Sequence, residues 1–194
     1  MKKKSIWIII AAVAVIIIWA IKVNNRMVTM EENVNKAWSN VENVYQRRAD
    51  LIPNLVNTVK GYAAHETSTF EAVVNARAKA TSITVNPENM TADQLKEFQK
   101  AQNEVGGALG RLIAVSEAYP ELKANENYAK AMDSVNLYEN QVRMSRMVYN
   151  DTVTKYNKIV RQFPDSVVAG LLKFETKEYL AEPQGKTDMP SMKI

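Results

Sequence analysis

The chain has 194 residues, no cysteine, six glycines, six prolines and a formal net charge of +4. Without cysteine it has neither a disulfide framework nor a thiolate metal site, and the dominance of Ala, Val, Asn, Glu and Lys favours an all-α protein. Five of the 25 basic residues flank an N-terminal apolar run, which leaves 20 basic against 21 acidic residues in the rest. The basic balance therefore reports the flanks of a membrane segment and excludes a nucleic-acid-binding face.

An unbroken apolar run, IWIIIAAVAVIIIWAI, occupies residues 6–21. As a helix it would span roughly 24 Å, slightly less than a hydrocarbon core of about 30 Å. Trp7 and Trp19 mark its ends, where indoles favour the interface, and Lys22 can snorkel to lengthen the span. Because the run is rich in Ile and Trp and its border lacks a small-residue cleavage site, we expect an uncleaved anchor over residues 5–23 rather than a cleaved signal peptide.

The charges on either side of this run predict its orientation. Three lysines lie in the leader, residues 1–4, whereas Lys22 and Arg26 follow the run. The excess on the N-terminal side predicts a cytoplasmic N-terminus. We expect a single-pass protein of the inner (cytoplasmic) membrane whose main domain is periplasmic or extracytoplasmic.

The main domain, expected over residues 27–181, opens with the pattern of one long amphipathic helix over residues 28–82. Three adjacent columns of apolar residues form its broad face, which is typical of a bundle. The columns contain Val34, Val41, Leu55 and Tyr62; Ala37, Val44 and Leu51; and Trp38, Tyr45, Ile52 and Val59. Pro53 predicts a kink because it lacks a backbone donor and crowds the carbonyl of Ala49, and Gly61 is a second weak point.

Two further long helices are expected, over residues 92–119 and 125–161. Thr91 and Gln94 form a capping-box pattern before the first of them, and its glycines, Gly106, Gly107 and Gly110, indicate either a local bend or a close approach to a neighbour. The last helix repeats apolar residues every seven positions, at Tyr128, Val135, Val142, Tyr149, Tyr156 and Phe163. Residues 165–181 are expected to fold back as a short amphipathic segment, and residues 182–194 to form a disordered tail.

These elements predict an all-α fold: an N-terminal single transmembrane helix, followed by a long-helix antiparallel bundle of three main helices plus a short C-terminal segment. The heptad rows of the first and last long helices can pack against each other as in a coiled coil.

The string RRADLIPN is the candidate interaction or register patch. Arg48 falls in the apolar row Val34–Val41–Leu55, and a charge there must be paired or it costs several kcal/mol. One interpretation is an inter-helix ion pair, with Glu139 or Glu117, that fixes helix register. The other is a binding or oligomer contact. The residues of the patch are Arg47, Arg48, Asp50, Pro53 and Asn54.

The sequence predicts no catalytic, cofactor-binding or metal-binding residue. His65 is the single histidine, and no second histidine follows it at the spacing of a zinc motif. The three clustered glycines lie within a helical pattern rather than in a phosphate-binding loop. Most of the tyrosines fit a bundle core with a polar edge.

Several long strings resemble the LemA family in the same order along residues 33–179. They are AWSNVENVYQRRADLIPNLVNTVKGYAAHE, FEAVVNARAKA, GALGRLIAVSEAYPELKANENY, YNDTVTKYNKIVRQFP and AGLLKFETKEY. The resemblance implies a single-pass bacterial membrane protein with a helical bundle and no established catalytic activity. It also implies a role in membrane organisation or envelope maintenance, since relatives are often encoded near membrane proteases and one branch belongs to magnetosome membranes. One view of the family places the short N-terminus outside, against the charge pattern.

Three functions are in competition. The first is a non-catalytic, membrane-anchored scaffold that self-associates at the bacterial envelope, because long helices with broad apolar faces offer assembly surfaces and a short span favours clustering. The second is an adaptor or regulator of a membrane protease or other envelope protein. The third is an enzyme, for which the sequence offers no converging titratable groups. The expected partners are membrane lipid and further copies of the chain; we expect no nucleic acid and no cofactor.

Overall fold

The computed structural model describes residues 2–87 and 89–181, and this part of the chain contains helices and no strand. The helices are α1 (Lys2–Lys60), α2 (Thr67–Ser82), α3 (Ala92–Glu117), α4 (Pro120–Lys123), α5 (Glu126–Arg161) and α6 (Asp165–Leu172). The all-α prediction is confirmed.

The prediction of one helix over residues 28–82 is wrong, because the first long helix ends earlier. α1 continues through Pro53 to Lys60, and α2 begins only at Thr67. The chain turns at Gly61, a poor helix former, and the backbone N–H groups of Tyr62 and Ala63 both donate to the carbonyl of Val59. Tyr62, predicted to lie in the core row, is exposed because it follows the helix end, and His65 lies exposed in the same connection.

The two later long helices begin where the sequence predicts. α3 starts at Ala92, and α5 starts at Glu126, after Asn125. The side-chain oxygen of Asn125 accepts hydrogen bonds from the backbone N–H groups of Asn127 at 2.9 Å and Tyr128 at 3.1 Å. Asn125 therefore caps α5 by satisfying two amides that have no helical partner.

The glycines of α3 do not bring a neighbour close. A Cβ atom added at Gly106, Gly107 or Gly110 would meet nothing within 4 Å. The interpretation of a close backbone approach is therefore wrong, and α3 continues through all three positions as one helix.

The chain folds as two compact units. The first unit contains the described parts of Met1–Arg48, Asn86–Thr91 and Asn136–Tyr179. Within it α1 and α5 are antiparallel. Tyr45 of α1 contacts Arg146 of α5, whereas Trp38, which is earlier on α1, contacts Tyr149, which is later on α5. The rings of Trp38 and Tyr149 meet edge to face, with centroids 5.5 Å apart, a favourable aromatic geometry.

The second unit contains the described parts of Ala49–Val85, Ala92–Val135 and Leu180–Ile194. The end of α1, α2, α3, α4 and the start of α5 enclose its core. That core buries Ile52, Leu55, Val59, Phe70, Val73, Val105, Leu109, Leu112, Leu122 and Tyr128. The predicted apolar columns of α1 thus supply core residues to both units, at Val34 and Val41 in the first and at Ile52 and Leu55 in the second.

The C-terminal segment differs from the prediction of one amphipathic stretch over residues 165–181. α6 ends at Leu172, and Lys173 adopts a left-handed conformation that turns the chain. The following residues run back without helix; Lys177 exchanges two hydrogen bonds with the side chain of Asn157, at 2.8 and 2.9 Å. The predicted tail, residues 182–194, lies outside the described residues.

Candidate functional site

The apolar start of α1 has the length and composition of a membrane span. Its large side chains are exposed from Ile6 to Ile18, as expected for a helix that faces lipid. Trp7 and Lys22 are exposed, whereas Trp19 is half-buried. The role of these three residues as membrane anchors stays a prediction.

Arg48, the charged residue in an apolar row, is paired. Only 4% of the residue is exposed, and its Nη1 donates to Oε1 of Glu139 on α5 at 3.1 Å. Its guanidinium also lies 4.9 Å from the centre of the Tyr45 ring, within the range of a cation–π contact. The pairing expected with Glu139 or Glu117 is confirmed for Glu139, while Glu117 pairs with Lys123.

A second buried arginine lies on α5. Arg146 is buried, and its Nη1 donates to the hydroxyl of Tyr45 at 3.1 Å. Tyr45 therefore carries one arginine over its ring and a second at its hydroxyl. Sequence reasoning missed Arg146, although its place between Val142 and Tyr149 puts it on the apolar side of the helix and could have indicated burial.

Asp50, Pro53 and Asn54 of the patch lie in the second unit, and their contacts are of another kind. Asp50 is exposed and lies 3.8 Å from Arg77 of α2, as an ion pair. Pro53 and Asn54 are exposed, and the carbonyl of Asn54 accepts a hydrogen bond from the Thr58 hydroxyl at 2.9 Å.

Arg77 also compensates for the backbone hydrogen bond that Pro53 removes from α1. A proline has no N–H, so the carbonyl four residues earlier, that of Ala49, loses its usual helical donor. The Nε–H of Arg77 donates to that carbonyl at 2.9 Å. One side chain of α2 thus replaces the missing backbone hydrogen bond and pairs with the neighbouring Asp50.

The patch therefore combines two contact sets along α1. Arg48 pairs with α5 in the first unit, Asp50 pairs with α2 in the second, and Arg47 is exposed. Arg48 and Asp50 engage other helices of their own units, as residues that hold register do. Both the register role and the interaction role of the patch stay predictions.

The titratable groups with shifted pKa values are buried or ion-paired. Burial raises the pKa of Tyr149, whose hydroxyl donates to the carbonyl of Glu178 at 3.0 Å, and raises the pKa of Tyr156 to about 12. Burial also raises the pKa of Glu42, against a hydrogen bond with Trp38 that lowers it.

An open cavity of about 400 Å³ lies in the second unit between α2 and α3. Its charged lining includes Lys79 and Glu104, which pair at 2.8 Å, and this hydrogen bond lowers the pKa of Glu104. Asn75 and Arg111 also line its polar side. Within residues 2–87 and 89–181, no three His, Cys, Asp or Glu side chains group as metal ligands would.

Comparison with known proteins matches the sequence of this chain to one family. The model of the LemA family matches residues 37–193. MamQ 2, a magnetosome protein of Paramagnetospirillum magneticum, is 30% identical over 181 residues, which cover 84% of this chain and 66% of the relative. MamQ, a magnetosome protein of Magnetospirillum gryphiswaldense, is 29% identical over 188 residues, covering 88% and 69%.

A further relative carries the family name. Protein LemA of Metamycoplasma hominis is 22% identical over 145 residues, which cover 75% of this chain and 63% of that protein. The chain spans about two thirds of the length of these relatives. Since the family model covers most of the sequence, including the RRADLIPN patch and all of α2 to α6, the chain belongs to the LemA family.

Proposed function

We propose that this chain is a non-catalytic, membrane-anchored scaffold that self-associates through the exposed face of α5. Family membership, relatives named as magnetosome proteins and the apolar start of α1 support a membrane-associated role. The observation that carries self-association is a charge pattern on α5.

One row of α5, at steps of four residues, has an antisymmetric charge pattern about its central residue. Each charged residue on one side of the centre has a residue of opposite charge at the same distance on the other side. The row is Glu139, Arg143, Met147, Asp151 and Lys155. Its central Met147 is 60% exposed. Arg143 is exposed and makes no ion pair with the described residues, while Asp151 and Lys155 pair with each other at 2.7 Å. All five residues belong to the first unit.

This row is complementary to the same row of a second copy. If two α5 helices cross antiparallel about a two-fold axis at Met147, Arg143 of each copy faces Asp151 of the other. Rows at steps of four are the ridges that interdigitate in the commonest class of helix packing. In a two-fold contact both copies use the same surface, as the subunits of closed homodimers do.

Apolar side chains surround the centre of this row. Met144 and Val148 are exposed on the adjoining row, and Leu137 is exposed further towards the start of α5. Burying such side chains contributes about 25 cal/mol per Å² of apolar surface removed from water. The row therefore offers an apolar centre with complementary charges on both sides, the pattern of a specific interface.

A cysteine crosslink tests this arrangement directly, because the chain has no cysteine of its own. In the Met147→Cys variant, the two thiols meet at the two-fold axis, so mild oxidation of the membrane-extracted protein should give a disulfide-linked dimer. Thr154→Cys is the matched control, because its two copies would lie roughly 20 Å apart along the helices. Equal crosslinking of the two variants, or none in either, would contradict the α5 interface.

Charge reversal tests the same interface without a crosslink. Arg143→Glu and Asp151→Arg should each weaken the dimer at least tenfold, as measured by light scattering in detergent, because each brings like charges together across the axis. The double variant should restore the dimer. A monomeric parent protein that instead co-purifies with an envelope protease would contradict the scaffold and favour the adaptor.

The scaffold is proposed to lie in the inner membrane, with the helical domain outside the cytoplasm. The lysines of the leader against Lys22 and Arg26 support this orientation. The first unit would then stand directly on the membrane, since α1 continues from the apolar run into it without a break.

A further inference from the structure

The end of the first unit nearest the apolar run carries an unexplained apolar surface. It consists of α6 and the turn before it, where Phe163 is 80% exposed and Leu171 is 78% exposed. Val167 and Leu172 are also more than half exposed. Four large apolar side chains within ten residues would be unfavourable in water if they formed no contact.

An ion pair places the start of α6 beside α1, shortly after the end of the apolar run. Asp165, the first residue of α6, pairs with Arg26 of α1 at 3.6 Å. Arg26 follows the last residue of the apolar run by five positions, roughly 7.5 Å along a helix. That height corresponds to the headgroup layer, which is roughly 5–8 Å thick on each side of the hydrocarbon core.

The burial of α1 residues also begins close to the end of the apolar run. Val23 and Met27 are buried, whereas Lys22 and Arg26 are exposed on the other side of the helix. The folded part of the first unit therefore begins two residues after the apolar run. This end of the unit therefore lies next to the end of the segment that would span a bilayer.

The path of the chain makes α6 the turning point at this end. α5 descends alongside α1 to Arg161, and α6 follows. Beyond α6 the chain runs away from this end again. Lys177 pairs with Glu31 at 2.8 Å, and the carbonyl of Glu178 accepts a hydrogen bond from the Tyr149 hydroxyl.

Basic side chains frame the apolar surface. Lys158 and Arg161 precede α6, and Lys173 follows it; all three are exposed. Together with Lys22 they form a cationic surround that anionic headgroups attract, at about 1 kcal/mol for each basic residue near the membrane surface. Asp165, the acidic residue of α6, is already paired with Arg26.

We propose that α6 and Phe163 form an interfacial element that inserts into the headgroup layer of an anionic phospholipid bilayer, with Phe163, Val167, Leu171 and Leu172 directed into the lipid. Amphipathic helices with a basic surround lie in the interface in this manner. The inference rests on the membrane anchoring of the proposed function. It adds a second, peripheral contact that would hold the first unit upright on the membrane and fix its rotation about α1.

Single cysteines carrying an environment-sensitive fluorophore test this contact on the full chain. The protein is reconstituted in vesicles of phosphatidylcholine and phosphatidylglycerol, 3:1, that contain a lipid spin-labelled near the headgroup. A label at Leu171→Cys should be blue-shifted and at least twofold quenched. Asn140→Cys, exposed on α5 far from the run, should be unquenched. An unquenched label at residue 171 would overturn the proposal.

A third label separates this proposal from the anchor itself. Val13→Cys lies within the apolar run and should be quenched by a lipid spin-labelled deep in its acyl chain. Quenching at residue 13 without quenching at residue 171 would overturn the α6 contact and leave the anchor standing. Absence of both would overturn the anchor and the contact with it. A blue-shifted but unquenched label at residue 171 would show that protein covers α6, which also contradicts the proposal.

Discussion

Pro53 is tolerated inside α1 because another residue supplies what it lacks. The proline leaves the carbonyl of Ala49 without a helical donor, and the Nε–H of Arg77 fills that place at 2.9 Å. A buried carbonyl without a partner would cost about 1–3 kcal/mol. Arg77 lies outside the RRADLIPN string, but its side chain stabilises the helix at this string.

Replacing Arg77 should destabilise the protein by an amount that depends on Pro53. Arg77→Met keeps much of the stem and removes the donor, so the free energy of unfolding should fall by about 1–3 kcal/mol. In a Pro53→Ala background the new backbone N–H can donate to Ala49, and the cost of Arg77→Met should shrink by about 1 kcal/mol. Urea unfolding of the four proteins in detergent gives this coupling energy.

The exposed Arg47→Met variant is the control and should leave stability within about 0.5 kcal/mol. Additive effects of Arg77→Met and Pro53→Ala, to within about 0.3 kcal/mol, would show that the two residues do not share the carbonyl.

Helix ends and helix interiors follow different determinants at the scale of elements. Asn125 caps the start of α5 with its own side chain, whereas α1 ends at Lys60, where the backbone N–H groups of Tyr62 and Ala63 both donate to the carbonyl of Val59. Pro53, a stronger helix breaker on intrinsic propensity, does not end α1, because Arg77 compensates for it. The long helix expected over residues 28–82 was thus divided at the glycine and not at the proline.

The open space around the α3 glycines gives a prediction in the stabilising direction. Gly110 is exposed in a continuous helix, and an added Cβ meets nothing. Gly110→Ala should therefore raise the free energy of unfolding by about 0.5–1 kcal/mol, because alanine loses less backbone entropy in a helix. Thermal unfolding should shift upwards by about 2–4 °C. A lower midpoint would show that the glycine serves a contact formed only in an assembly.

Orientation in the membrane is a property of the whole molecule, and it is testable with the cysteine-free background. A membrane-impermeant maleimide applied to intact spheroplasts should label Asn140→Cys, because the helical domain is expected outside the cytoplasm. Lys4→Cys should be labelled only after permeabilisation. The opposite pattern would reverse the orientation that the lysine distribution predicts.

Much of this architecture follows from the sequence alone, because periodicity records which residues are withdrawn from water. The buried residues Val34, Val41, Ile52 and Leu55 lie on the predicted columns of α1, and Val135, Val142, Tyr149 and Tyr156 lie on the predicted heptad row of α5. Arg48 in the middle of such a row must be paired, which pointed to an inter-helix ion pair and named Glu139 as one of two candidates. Composition likewise separated the basic flanks of the apolar run from a nearly neutral domain.

Other features depend on which helices meet, and a one-dimensional pattern does not contain that. The choice of Glu139 over Glu117, the burial of Arg146 against Tyr45, and the donation from Arg77 to Ala49 join residues 28 to 101 positions apart. Phe163 continues the α5 heptad row, yet it is exposed because α5 ends at Arg161, before this position. Local spacing determined the faces of the helices; only tertiary packing decided which polar groups those faces satisfy and which apolar side chains remain for a partner.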